Sequence, residues 1–93
     1  MAVLLDDSQV QTQLAKLEGW SQVGNTIQTT KKFDGFPSAI AFVNKLVAPA
    51  EAAGHHPDIS ISYNKVSISL STHDAGGLTQ KDFDMAAQIS RLA

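Results

Sequence analysis

The sequence contains no cysteine. A disulfide framework and a thiolate zinc site are therefore excluded, and stability has to come from a packed core. Excess basic charge is missing as well: seven Lys and Arg stand against nine Asp and Glu, for a formal charge of −2. Phosphate binding needs a basic face, and Lys31-Lys32 is more simply read as a pair of exposed strand residues. Direct nucleic-acid binding is not expected. No segment approaches the ~20 apolar residues of a membrane span. The opening from Met1 to Asp7 lacks the basic and apolar regions of a signal peptide. No membrane partner is expected, and cytoplasmic is the default location. Repeats of solenoid period and low-complexity tracts are also absent.

What is present describes one soluble globular domain over residues 1–93, with 43% apolar and 17% charged residues, enough for a two-layer core. Asp6, Asp7 and Ser8 offer helix N-caps, and Ser8 with Gln11 has capping-box spacing. Val10, Leu14 and Leu17 form the apolar stripe of a short helix that Gly19 stops. Trp20 to Val23 and Thr26 to Phe33 read as strands joined around Gly24-Asn25. A two-residue loop there sets Gln22 opposite Ile27, so a longer loop or a bulge stands as the alternative.

Asp34-Gly35-Phe36-Pro37 leads into the longest helix. Its predicted stripe is Ile40, Val43 and Val47, widened by Phe36, Phe42, Leu46 and Ala50. So wide an apolar surface calls for more than one neighbour, the sheet on one side and a partner on the other, with Phe42 read as exposed. Pro49 predicts a kink, and Gly54 ends the helix. Ile59, Ile61 and Tyr63 then alternate with serines, as do Val66, Ile68 and Leu70. With Asn64-Lys65 as the loop, Ile61 opposes Ile68 and Ile59 opposes Leu70, all apolar residues on one face. Tyr63 is read as core. Thr79 starts the last helix, striped by Met85, Ile89 and Leu92. The order α-β-β-α-β-β-α predicts an α+β, two-layer fold: a four-stranded antiparallel sheet with three helices on one face.

All three histidines lie between Glu51 and Asp82. The second hairpin carries His73 back toward His55 and His56, and the three are expected to meet at one sheet edge. Glu51 lies four residues before His55, within reach of its ring. Adjacent histidines in extended backbone point in different directions, which suits two separate jobs and not convergence on one metal ion. A Ser–His–Asp triad lacks a nucleophile elbow. Acid–base work fits better, because imidazole, with an unperturbed pKa of ~6.5, exchanges protons near neutrality. Asp82, three residues after Thr79, has capping-box spacing and could serve only as a cap.

Glu51, His55-His56-Pro57, Tyr63, His73 and Asp82, in this spacing, resemble the signature of the pterin-4a-carbinolamine dehydratases. The flanks agree: Gly19-Trp20, Tyr63-Asn64-Lys65-Val66, Leu70-Ser71-Thr72-His73 and Gly77-Leu78-Thr79. Pro49 and a thinned aromatic run, Phe33-Asp34-Gly35-Phe36, depart from the pattern outside the signature. The resemblance implies a hydro-lyase that dehydrates 4a-hydroxytetrahydropterin to quinonoid dihydropterin in tetrahydrobiopterin recycling, with the pterin as substrate and no cofactor. By position it implies His55 and His73 as general acids, and His56 as a substrate contact within the catalytic set. Glu51 would orient an imidazole or bind pterin, while Ser71, Thr72, Asp82 and Trp20 would border or bind the substrate. It further implies a homodimer or homotetramer, built from sheet edges and bundled long helices. Some relatives are dimerisation partners of a transcription factor, which makes protein binding through the long helix the alternative role.

Overall fold

A computed structural model describes residues 3–93; Met1 and Ala2, the start of the stretch read for a leader, lie outside that range. Asp6 caps the first helix, α1 (Asp7–Leu14), and exchanges side-chain and backbone hydrogen bonds with Gln9. The capping box thus sits two residues earlier than the Ser8–Gln11 pair predicted. The helix also stops at Leu14, well before Gly19, whose φ of +83° belongs to the loop into the sheet.

Strands β1 (Ser21–Val23) and β2 (Thr26–Lys32) pair with Gln22 directly opposite Ile27. The two-residue loop is therefore real. Its apparent conflict disappears because β1 is an exposed edge strand: Gln22 stays in solvent, where Gln11 Nε2 donates to its Oε1 at 3.1 Å. Strands β3 (Asp58–Ser62) and β4 (Lys65–Leu70) form the second hairpin. Here Ile59 faces Ile68 and Ile61 faces Val66, a slide of two residues from the expected register. The turn is Tyr63-Asn64, and Tyr63 adopts φ +52°. Asn64 is held to the end of β2, its carbonyl accepting from Phe33 N–H and its side-chain amide donating to Phe33 O. Tyr63 is 69% exposed, so it is a turn residue and not the core residue expected.

The four antiparallel strands stand in the order β1-β2-β4-β3. Ile27, Val66, Ile68 and Leu70 project from one sheet face into the core. Full burial stabilises each such side chain by ~1.5–3 kcal/mol. Ile59 and Ile61 on edge strand β3 remain more than a third exposed, so that strand depends more on its ladder to β4.

Helices α2 (Phe36–Ala53) and α3 (Gln80–Leu92) cover the same sheet face, and Val10 of α1 joins their cluster. This is the α+β architecture expected. The buried line of α2 is Ala39, Phe42, Leu46 and Ala50; of the predicted stripe only Val43 packs against the core. Phe42 is buried, with its ring 5.0 Å from that of Phe33, whereas Phe36 and Val47 are exposed. The helical span continues through Pro49 to Ala53. Among the described residues no helix is long and apolar enough to cross a membrane.

Candidate active site

The site is set up where α2 ends. Gly54 has φ +60°, a left-handed conformation that glycine adopts without a Cβ penalty. It closes the helix with two bonds, Gly54 N–H to Glu51 O at 3.3 Å and His55 N–H to Ala50 O at 3.1 Å. That is the Schellman arrangement, and it pins the backbone of His55 against the last turn. Pro57 biases His56 toward extended backbone, and the two rings diverge. The side chain of His55 is only 10% exposed and that of His56 is 64% exposed.

Each imidazole meets its own carboxylate. His55 Nε2 lies 2.6 Å from Asp82 Oδ1, and His56 Nε2 lies 2.5 Å from Glu51 Oε2. The predicted pairing of Glu51 with His55 is thus replaced. One-turn spacing would have applied had the helix continued, but the left-handed residue at Gly54 ends it and redirects His55 inward.

Asp82 does more than cap. It has no exposed surface, and its Oδ2 accepts from Thr79 N–H at 3.0 Å, completing the capping box of α3. The same oxygen accepts from Thr72 Oγ1 at 2.9 Å, and Thr72 Oγ1 lies 2.7 Å from Thr79 Oγ1. Both carboxylate oxygens are therefore occupied within the protein. A direct substrate contact, the role expected for Asp82, is not available in this geometry; holding His55 is. Thr79, read from sequence only as a helix start, belongs to this cluster. Its signal was the capping box itself, since an N-cap threonine next to a buried aspartate has a hydroxyl left over for other bonding.

Thr72 reaches Asp82 because its backbone is fixed as well. It bridges Gly77, with Thr72 N–H donating to Gly77 O at 2.8 Å, around a 3₁₀ turn over His73–Ala75 that Gly76 closes at φ +79°. The Thr72 hydroxyl points into the protein and is buried, so the ring contact expected of it is not open. Ser71, one residue earlier, is half-buried. His73 follows Thr72 at the start of the 3₁₀ turn and is exposed.

The expected meeting of three histidines is thus only partly found. His55 and the His73 segment are connected through Asp82 and Thr72, while His56 is paired separately with Glu51. Among the described residues no three His, Asp or Glu side chains are grouped as metal ligands would be. Trp20, expected to border the pocket, is a core residue whose Nε1 donates to Ser90 Oγ at 3.0 Å. A small groove of about 230 Å³ beside Glu51 and His56 is walled by Val43, Leu46, Val47, Ala50 and Ile59.

The fold is an α+β sheet with a buried histidine–aspartate pair at the helix–strand junction. Residues 3–92 match the family described as Pterin 4 alpha carbinolamine dehydratase, and the chain belongs to that family. A relative in Trichormus variabilis, named "Putative pterin-4-alpha-carbinolamine dehydratase", is 66% identical over 99% of both chains. Among solved structures, a transcriptional coactivator/pterin dehydratase from Brucella melitensis superposes with a TM-score of 0.92. It is 33% identical, and the match covers 96% of this chain and 97% of that one. A pterin dehydratase-like protein described as a RuBisCO assembly factor in the alpha-carboxysome matches with a TM-score of 0.68 and 25% identity, over 82% of this chain and 90% of that one.

Proposed function

We propose that this protein dehydrates 4a-hydroxytetrahydropterin to quinonoid dihydropterin and water. The observation that carries the reading is the buried His55–Asp82 pair, joined through Thr72 to the His73 segment, in a chain of this family. Loss of water requires that the C4a–O bond break, that the leaving oxygen gain a proton, and that the substrate surrender another. No electron changes hands, so no redox cofactor enters the step, and imidazoles suffice. His55 and His73 supply and remove these protons. His56, oriented by Glu51, contacts the pterin, and Ser71 lines its edge.

The test is the rate of water loss from freshly generated 4a-hydroxytetrahydropterin over the spontaneous background. Acceleration that falls sharply in His55→Ala and His73→Ala is the expected result; no acceleration by the wild type would overturn the reading.

A second reading, protein binding through α2, is favoured by one observation: Phe36 and Val47 are exposed on one flank of a helix whose neighbouring face is buried. The two solved relatives carry the words coactivator and assembly factor in their descriptions. Val47→Asp, and not a change at buried Phe42, is the variant that tests it. Loss of co-purifying partners, or of a homodimer or homotetramer in light scattering, supports that surface; unchanged partners and mass count against it.

A further inference from the structure

The hydrogen bonds around Asp82 have a direction. An ionised carboxylate only accepts, whereas a hydroxyl has one proton to give. Thr72 Oγ1 gives its proton to Asp82 Oδ2. Its 2.7 Å contact with Thr79 Oγ1 must then be supplied by the Thr79 proton. Thr79 Oγ1 in turn accepts from Lys81 N–H at 3.3 Å. The chain of donors therefore runs one way, from the first turn of α3 through Thr79 and Thr72 to the carboxylate. On its other side, Asp82 Oδ1 lies 2.6 Å from His55 Nε2; an oxygen that only accepts takes its hydrogen from that nitrogen.

We propose that Thr79, Thr72 and Asp82 act as a one-way hydrogen-bond chain that holds His55 as its Nε2–H tautomer, leaving Nδ1 as the nitrogen that exchanges protons with substrate. Two observations support the assignment of Nδ1. It has no hydrogen-bond partner among the described residues, yet no buried side-chain nitrogen or oxygen there lacks a partner. Nδ1 is therefore reached by solvent although the ring is otherwise enclosed. Backbone bonds also secure the orientation of Thr72 and of His55. The Thr72 backbone is locked by its bridge to Gly77, and the His55 backbone by its bond to Ala50. The two threonines are positioning residues: they act on the reaction only through the carboxylate and the ring, much as a buried aspartate sets a catalytic imidazole in a triad.

The catalytic half of this inference rests on the dehydratase reading; the tautomer does not, and the experiment separates them. Ring ¹⁵N shifts of His55, assigned by their loss in His55→Gln, are recorded at roughly pH 8.5, about two units above the ordinary imidazole pKa. The expected result is an Nε2–H ring in the wild type, a shift toward mixed tautomers in Thr72→Val, and recovery in Thr72→Ser. In the dehydration assay Thr72→Val should lose about ten-fold in kcat with KM little changed, and Thr72→Ser should restore it. An Nδ1–H ring in the wild type overturns the inference, as does a Thr72→Val protein with unchanged ring shifts. If Thr72→Val does not fold, the wild-type ring decides alone. An Nε2–H ring in a protein without dehydratase activity would keep the chain of donors and discard only the reaction.

Discussion

Two imidazole–carboxylate pairs occupy neighbouring positions in the sequence and opposite surroundings. His55–Asp82 and His56–Glu51 have nearly equal contact distances, 2.6 and 2.5 Å. Distance therefore does not rank them. The first carboxylate is enclosed and makes three hydrogen bonds, with His55, Thr72 and the Thr79 backbone. The second pair is about two-thirds exposed at both side chains. In water two such groups gain little from each other and are screened by salt, whereas removing one member of an enclosed pair leaves polar groups without partners. One pair is enclosed in the architecture and the other stands in solvent.

That contrast can be broken by substitution. The largest effect is expected from Asp82→Ala, which strips the α3 cap and leaves His55, Thr72 and the Thr79 N–H unpaired. A loss of about 3 kcal/mol in urea unfolding is expected; a loss under about 1 kcal/mol would mean that the enclosed pair is no more valuable than an exposed one. His55→Gln should come next, lowering kcat about a hundred-fold or more in single-turnover dehydration, with KM far less affected. His56→Gln should do the reverse, raising KM while kcat stays within a few-fold. If both variants lost kcat equally, the division of labour would fail. Glu51→Gln should be the mildest, within about 0.5 kcal/mol of wild type in stability, and the residual difference should vanish at high salt.

Much of the fold was legible because its patterns have short periods. Strict alternation from Ile59 to Leu70 announced a hairpin with one apolar face, and the structure keeps it. The same alternation could not select the register, because a slide of two residues still leaves Ile59 and Ile61 opposite apolar partners. The choice fell to Asn64, whose bonds to Phe33 join residues far apart in sequence. On α2 the difficulty was the opposite one. A helix apolar around most of its surface offers several stripes, and the buried one passes through Ala39 and Ala50, too small to stand out.

In the site, residue types were readable and partners were not. Glu51 was matched with the wrong histidine because helical spacing was carried across Gly54, where the backbone turns left-handed. Thr79 went unassigned, and the inward-facing role of Thr72 went unseen. Their value lies in hydroxyl contacts with each other and with Asp82, which no local spacing displays.

The left-handed closure at Gly54 also works as a parity device. Extended backbone sends successive side chains to opposite sides, so what matters downstream is whether a residue falls an odd or an even number of steps from the end of α2. His55, at the first step, turns inward to Asp82; His56, at the second, turns out to Glu51. Inserting a single alanine after Gly54 would change neither imidazole and neither carboxylate, yet it would place alanine at the inward step and His55 at the outward one. Two residues of the same kind have different partners here because of how they are counted.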